Sequence, residues 1–323
     1  MNPNWKNFLL SEGADFETDI KIAFPANTDQ NNYYIYPIAQ LTVLTVSGSD
    51  AATFLQGQIT CNVHNMTETQ SSLGALCNPK GRAIATFILI KTGNSFLMVL
   101  PVELVQIVKN SLSRYILRAN VVLTENSDEL CLIGLSPTES WGGALFSTTQ
   151  QETIVVNLDT RQLIIAPPYL AIELWSKMTK AGFQPANSLH WRYLDIISGL
   201  PWLTTETSAT FIPQMLNLDK LGGISFDKGC YTGQEIIART HYLGKAKRAL
   251  FLAECDTQDT PAPNSIIIDE SLINTQAEEQ TAGRVLLAEH QGNLCKMLIV
   301  IPISDTDTYQ LRLANQHKLT LLT

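Results

Sequence analysis

The hydrophobic pattern changes character along the chain. Residues 1–35 read as polar and irregular, with the run Asn-Thr-Asp-Gln-Asn-Asn at 27–32 as a loop. Apolar and β-branched runs then begin. Residues 41–46 predict a strand stopped at Gly48, and Asp50 predicts the cap of a short helix through Gln56. Residues 83–91 and 96–100 predict a hairpin around Gly93-Asn94. Val102, Val105, Val108 and Leu112 recur at helical spacing, which predicts a helix opened by Pro101 and running to Leu117. Further strands are predicted at 121–123, 130–135, 154–158 and 163–166, and helices at 169–181 and 187–198. Strands and helices mix without a regular βαβα beat, so an α+β class fits better than a doubly wound sheet. Near residue 246 the pattern shifts to five or six short strands, at 248–254, 265–268, 282–289, 294–301, 309–313 and 317–321. Turn residues separate them, which predicts a small β-barrel. The expected organisation is therefore an α+β region over 1–245 and a C-terminal β-barrel over 246–323.

Composition narrows the function classes. The chain has 323 residues, 45% hydrophobic and only 16% charged, which suits about two globular domains and argues against disorder. Its most apolar run, 83–90, ends at Lys91 and is far short of the roughly 20 residues a membrane helix needs. The opening Met1-Asn-Pro-Asn-Trp-Lys6 lacks the basic and then apolar segments of a secretory signal. A net charge of −8 disfavours direct nucleic-acid binding, which normally needs the opposite sign. The six cysteines (Cys61, Cys77, Cys131, Cys230, Cys255 and Cys295) are nowhere closer than 16 residues, so no zinc spacing exists. Reduced thiols in a cytoplasmic protein are expected, five of them as small core residues.

Candidate chemistry concentrates in residues 221–240, LGGISFDKGCYTGQEIIART. Closely spaced glycines let a backbone approach a partner. Lys228, Cys230, Tyr231, Gln234 and Glu235 supply an ammonium, a thiol, a phenol, an amide and a carboxylate. A Gly-rich turn entering a short helix at Gln234, with a buried Cys230, explains the same residues without chemistry. Charge favours a functional reading. Residues 228–248 hold Lys228, Arg239, Lys245, Lys247 and Arg248 against one acid, Glu235, in an acidic chain. Such a local field attracts a small anion or a carboxylate tail. Cations beside a thiol also make Cys230 the cysteine best placed to react. A Cys-His hydrolase using Cys230 with His241 or His190 is a rival, but no third orienting residue stands out. P-loop and dinucleotide fingerprints are absent. Trp175, Trp191 and Trp202 are either core side chains or plates for a flat heterocycle.

The segment Lys228-Gly-Cys-Tyr-Thr-Gly-Gln-Glu235 resembles the KGCYxGQE signature of the YgfZ folate-binding proteins, which assist iron–sulfur cluster assembly or repair. That family is similar to the glycine cleavage T-protein, an aminomethyltransferase. Further pieces resemble the family in order. They are Phe54-Leu-Gln-Gly-Gln-Ile-Thr60, Leu76-Cys-Asn-Pro-Lys-Gly81, Ser198-Gly-Leu-Pro201, Ile212-Pro-Gln-Met-Leu-Asn217, Leu221-Gly-Gly-Ile-Ser-Phe226 and the Gly283-Arg284 turn. The resemblance implies a T-protein-like fold of three lobes, two of them α+β around a central opening and the third the barrel. It implies tetrahydrofolate or a derivative as cofactor, bound by Trp191, Lys228, Gly229, Tyr231, Gly233, Gln234, Glu235 and Arg239. The glutamate tail is expected toward the basic 239–248 segment. It also implies iron–sulfur client enzymes or assembly proteins as partners, tRNA-modifying enzymes among them, with Cys230 as the working thiol and at most a transient iron or cluster contact there. Two departures stand out. A second folate tryptophan would fall near position 41, which is Leu41. The acidic pair of true aminomethyltransferases is replaced by Ala85 and Thr86, which weakens the alternative of a folate-dependent one-carbon transferase.

Overall fold

Asn2 and Pro3 start a helix that the polar composition of the N-terminal stretch hides. In the computed structural model the Asn2 side chain accepts hydrogen bonds from the backbone N–H groups of Asn4 and Trp5, and Pro3 opens α1 (Pro3–Ser11). Trp5 and Leu9, one helical turn apart, face the core. Residues 1–35 are therefore not irregular throughout. β1 (Asp15–Thr18) and β2 (Lys21–Ala23) form an antiparallel ribbon, and β3 (Tyr34–Pro37) follows. The structure describes residues 1–25, 33–137, 143–270, 281–303 and 310–322; the loop expected at 27–32 lies outside these.

The chain gathers into two compact units. The first comprises Met1–Gln56, Asn62–Leu73 and Phe87–Trp191. After β3 come β4 (Leu41–Ser47), α2 (Ala51–Gln56), β5 (Ser72–Cys77), β6 (Ala83–Thr92), β7 (Ser95–Pro101), α3 (Val105–Ile116) and β8 (Val122–Glu125). Both β5 and β6 run on into the second unit. β7 pairs with β6 and β4, and β4 with β8, all antiparallel. The hairpin turn falls at Gly93-Asn94 as the pattern predicts. Pro101 ends β7 rather than opening the helix, which begins with a tighter turn at Val102–Leu104.

A second sheet of this unit is built from β9 (Cys131–Ser136), β10 (Thr148–Gln150), β11 (Ile154–Asn157), β12 (Gln162–Ala166) and β13 (Gln184–Pro185), with α4 (Pro168–Lys180) between the last two strands. Its order is β10-β11-β12-β9-β3-β13, antiparallel except for β13 on β3. Ile35, Ile133 and Ile164 pack with Trp5 and Trp175, whose rings meet edge-on at 5.5 Å. Burying such side chains contributes roughly 1.5–3 kcal/mol each. α5 (Ser188–Ile197) closes the α+β part, its last residues in the second unit.

The second unit comprises Gly57–Cys61, Gly74–Thr86 and Arg192–Thr323. It holds the β5–β6 turn, α6 (Gln234–Tyr242) and a C-terminal sheet. That sheet uses β14 (Arg248–Asp256), β15 (Ile266–Asp269), β16 (Thr281–Gln291), β17 (Leu294–Pro302), β18 (Leu311–Leu313) and β19 (Thr320–Leu322), all antiparallel. One face carries the apolar row Ala253, Cys255, Cys295, Met297, Ile299 and Ile301. The expected barrel is corrected here. The order β18-β15-β16-β17-β14-β19 leaves β18 and β19 at opposite ends, so the sheet is a half-barrel. Each end strand has only three residues, too few for a closing ladder, and among the described residues only an isolated bridge pairs Arg312 of β18 with Lys318, just before β19. Gly283 lies inside β16, not in a turn, where an added Cβ would sit 2.2 Å from the Val300 carbonyl oxygen. Among the described residues no helix is long and apolar enough to cross a membrane.

Candidate functional site

The 223–235 loop carries the densest chemistry, and its own backbone and buried side chains fix its shape. Thr60 anchors its start: its hydroxyl donates to the Gly223 carbonyl at 2.6 Å, and the Ser225 N–H donates to the Thr60 carbonyl at 2.9 Å. Lys228 is only 8% exposed, and its ammonium donates to the Ile59 and Cys61 carbonyls, both at 2.6 Å. The same ammonium lies 5.0 Å from the centroid of the Tyr231 ring. Burial pushes the Lys228 ammonium down to about 8. The Thr232 N–H bonds the Gly57 carbonyl at 3.3 Å.

Two glycines then let backbone meet backbone. Gly233, at φ +84°, begins α6; a Cβ there would lie 2.6 Å from the Asn78 carbonyl oxygen and 3.0 Å from Gly81 Cα. Gly81, at φ +70° in the β5–β6 turn, is pressed in return against Ile236. The Asn78 side chain holds that turn by accepting from the Lys80 and Arg82 N–H groups.

The signature side chains divide into two sets. Lys228, Tyr231 and Gln234 build the loop. Tyr231 is buried and its hydroxyl has no hydrogen-bond partner among the described residues, while the Gln234 side-chain oxygen accepts from the Tyr231 N–H at 3.2 Å. Burial raises the Tyr231 phenol, with Cys77 and Cys61 adding to the rise. Gly229 (φ +87°, with open space around its α-carbon), Cys230, Glu235 and Arg239 face outward. Glu235 and Arg239, one helical turn apart on α6, pair at 3.2 Å. Cys230 is the exposed thiol of the chain; the other five cysteines are buried. Burial drives the thiols of Cys77 and Cys295 up to about 12.

The chain as a whole is similar to known proteins. Over 300 residues the chain is 32% identical to the tRNA-modifying protein YgfZ of Colwellia psychrerythraea strain 34H, an overlap covering 88% of this chain and 89% of that protein. The chain belongs to the YgfZ family. The Vibrio atlanticus YgfZ is 28% identical over 288 residues, covering 86% of this chain and 87% of that protein. The Klebsiella pneumoniae YgfZ is 34% identical over 220 residues, or 64% and 67% of the two chains. No family model matches the chain. The fold matches the glycine cleavage system aminomethyltransferase T from Bartonella henselae, with a TM-score of 0.78 over 100% of this chain and 97% of that one, at 13% identity. The T-protein-like fold with α+β lobes is thereby established.

Trp191 belongs to the first unit of this YgfZ-family chain, and the signature loop to the second. Its ring is fully buried. The Arg161 guanidinium carbon lies 4.6 Å from the ring centroid, Tyr36 tilts against it at 5.4 Å, and Gly134 is so close that a Cβ would clash at 2.3 Å. Arg161 is itself 3% exposed. Sequence reading missed this arginine, since a single Arg next to Gln162 carries no motif. It also missed Gly81 as the partner of Gly233, though the Asn78-Pro-Lys-Gly81 turn was the visible signal. Ala85 and Thr86 are fully buried, and the Thr86 hydroxyl donates to the Pro201 carbonyl at 2.6 Å. Among the described residues no group of three metal-binding side chains exists.

Proposed function

We propose that the chain is a tetrahydrofolate-binding accessory factor for iron–sulfur cluster assembly or repair, acting on client enzymes that include tRNA-modifying ones through the thiol of Cys230. The observation that carries this reading is the contrast at the signature. A loop tied down by Lys228, Thr60 and the Gly81–Gly233 contact presents a single exposed cysteine, while the other five are buried. Rigid presentation of one accessible thiol suits attack on, or brief ligation by, a partner. A lone cysteine does not hold a stable cluster, which usually takes four protein ligands, so the iron contact is transient and shared with the client.

The residues fit folate in part. An exposed carboxylate at Glu235 and an exposed guanidinium at Arg239 are the types that a pterin edge and a glutamate tail require. Trp191 does not fit as a stacking plate, because its ring has no exposed surface; it packs against Arg161 and Tyr36 inside the first unit. Lys228 and Tyr231 shape the loop rather than meet the ligand, and Gly229 and Gly233 give it its turns. When bound, tetrahydrofolate supplies a reduced pterin. One-carbon transfer is the weaker reading: where aminomethyltransferases are expected to carry an acidic pair, this chain has buried Ala85 and a Thr86 hydroxyl already engaged by Pro201.

Replacing Cys230 with Ala tests the proposal. The side chain is exposed, so the expected stability change is within about 0.5 kcal/mol by thermal melting. Client iron–sulfur enzyme activity in a deletion strain is expected to fall to the level of the deletion, with folate binding retained. Full restoration of client activity by the Ala variant would falsify the role of the thiol.

A further inference from the structure

A cavity of about 270 Å³ lies within the second unit, between the turn at Pro213–Leu216, the C-terminal end of α6 and the start of β14. Two amide contacts, the first of them buried, brace its walls. Gln214 donates to the Ile237 carbonyl of α6 at 2.7 Å, and Asn217 donates to the Leu250 carbonyl of β14 at 2.8 Å. The cavity is therefore preformed rather than a gap between loose surface chains. Lys220, Lys245 and Arg248 line it, with Asp219 as the one acid in the lining and Asn217 and Thr240 as neutral polar neighbours. Among the described residues none of the three cations takes part in an ion pair; Arg248 donates from one guanidinium nitrogen to the Ala282 carbonyl at 3.0 Å, leaving the rest of its fork for another acceptor.

This is unusual in a chain of net charge −8. Acids outnumber bases 30 to 22, yet three bases converge on one cavity with one acid among them. Like charges that repel one another persist most readily where an anion joins them. Arginine offers a planar fork and lysine a mobile point charge, a combination suited to an oxyanion with several oxygens.

We propose that this cavity binds a small oxyanion group carrying at least two negative charges. Two sources share that chemistry: a phosphate or diphosphate group, and a short run of carboxylates on a peptide-like tail. The site stands on its own residues and does not require that the chain bind folate. Neither probe below carries a pterin, so this inference and the folate reading can fail separately.

The test is isothermal titration of the full chain with inorganic pyrophosphate and, separately, with tri-γ-glutamate, at about 20 mM salt so that screening is weak. At least one probe is expected to bind with sub-millimolar affinity, and to weaken at least tenfold at 200 mM salt. The double variant Lys220→Gln/Lys245→Gln removes two exposed charges and is expected to melt as the parent does while losing at least tenfold in affinity. Which probe binds names the source. Binding by neither probe overturns the proposal, as does equal affinity in parent and variant. A salt-independent interaction would likewise place the ligand outside this cavity.

Discussion

Gly233→Ala is expected to destabilise the protein by about 3 kcal/mol, measured by denaturant or thermal unfolding. Two effects add. The residue sits at φ +84°, where an L side chain costs roughly 1–2 kcal/mol. The new methyl would also lie 2.6 Å from the Asn78 carbonyl oxygen and 3.2 Å from Cys77 Cβ, so backbone has to move, and overpacking of that kind costs about 1–3 kcal/mol. Gly229→Ala is the control. It shares the positive φ but meets nothing within 4 Å, so only the conformational cost remains. Equal losses in the two variants would show that the contact with the β5–β6 turn does not constrain the loop.

Lys228→Met is expected to cost a similar amount, about 3 kcal/mol at pH 7, because two carbonyls lose a charged donor inside the protein. The two proteins should also differ in pH response. Burial lowers the ammonium from 10.5 to about 8. Between those values the unfolded chain holds the proton and the folded one has released it, so rising pH favours the folded state. The burial penalty is fully present below about pH 8, and its relief as pH rises to 10.5 amounts to roughly 3 kcal/mol. A neutral amine still has two N–H donors for the two carbonyls, so deprotonation does not break the clamp. The buried thiols oppose this. Cys77, Cys131 and Cys295 are raised from 9.0 to about 12, so the unfolded chain loses their protons first and stability falls above pH 9. The Lys228 contribution is therefore read as the difference between parent and variant across pH 8–10. A pH-independent difference would contradict the assignment.

Much of the fold was legible because it rests on local pattern. The strand at Leu41–Ser47, the hairpin of β6 and β7, and helices α4 and α5 follow from apolar period and turn glycines. α1 was hidden because its start depends on an Asn-Pro cap in a polar segment, and its support is Trp175, 170 residues away in sequence from Trp5. The half-barrel was read as closed because strand count is visible in a sequence, whereas closure depends on the lengths and pairing of β18 and β19. At the candidate site, the signature showed which residue types gather in the loop but not the division of labour within it. Residue type shows that Lys228 and Tyr231 can bind a ligand; only their burial against Ile59, Cys61 and each other shows that they form the frame. Trp191 is the same case, and Arg161, which covers it, left no sequence signal.

The second unit is stitched from distant pieces of chain, and this sets an order for its birth on the ribosome. Gly57–Cys61 and Gly74–Thr86 emerge early, whereas their partners lie in Arg192–Thr323. Lys228 bonds carbonyls made 169 and 167 residues before it. At roughly 5–20 residues per second, the carbonyl groups of Ile59 and Cys61 wait about 10–30 s for that ammonium. Over that interval the Ala83 N–H and carbonyl at the start of β6 also wait for Phe211 and Ala209, so the early pieces of the second unit are made well before the residues that satisfy them. A stalled chain ending at Trp191 contains every residue of the first unit and none of the C-terminal segment that completes the second.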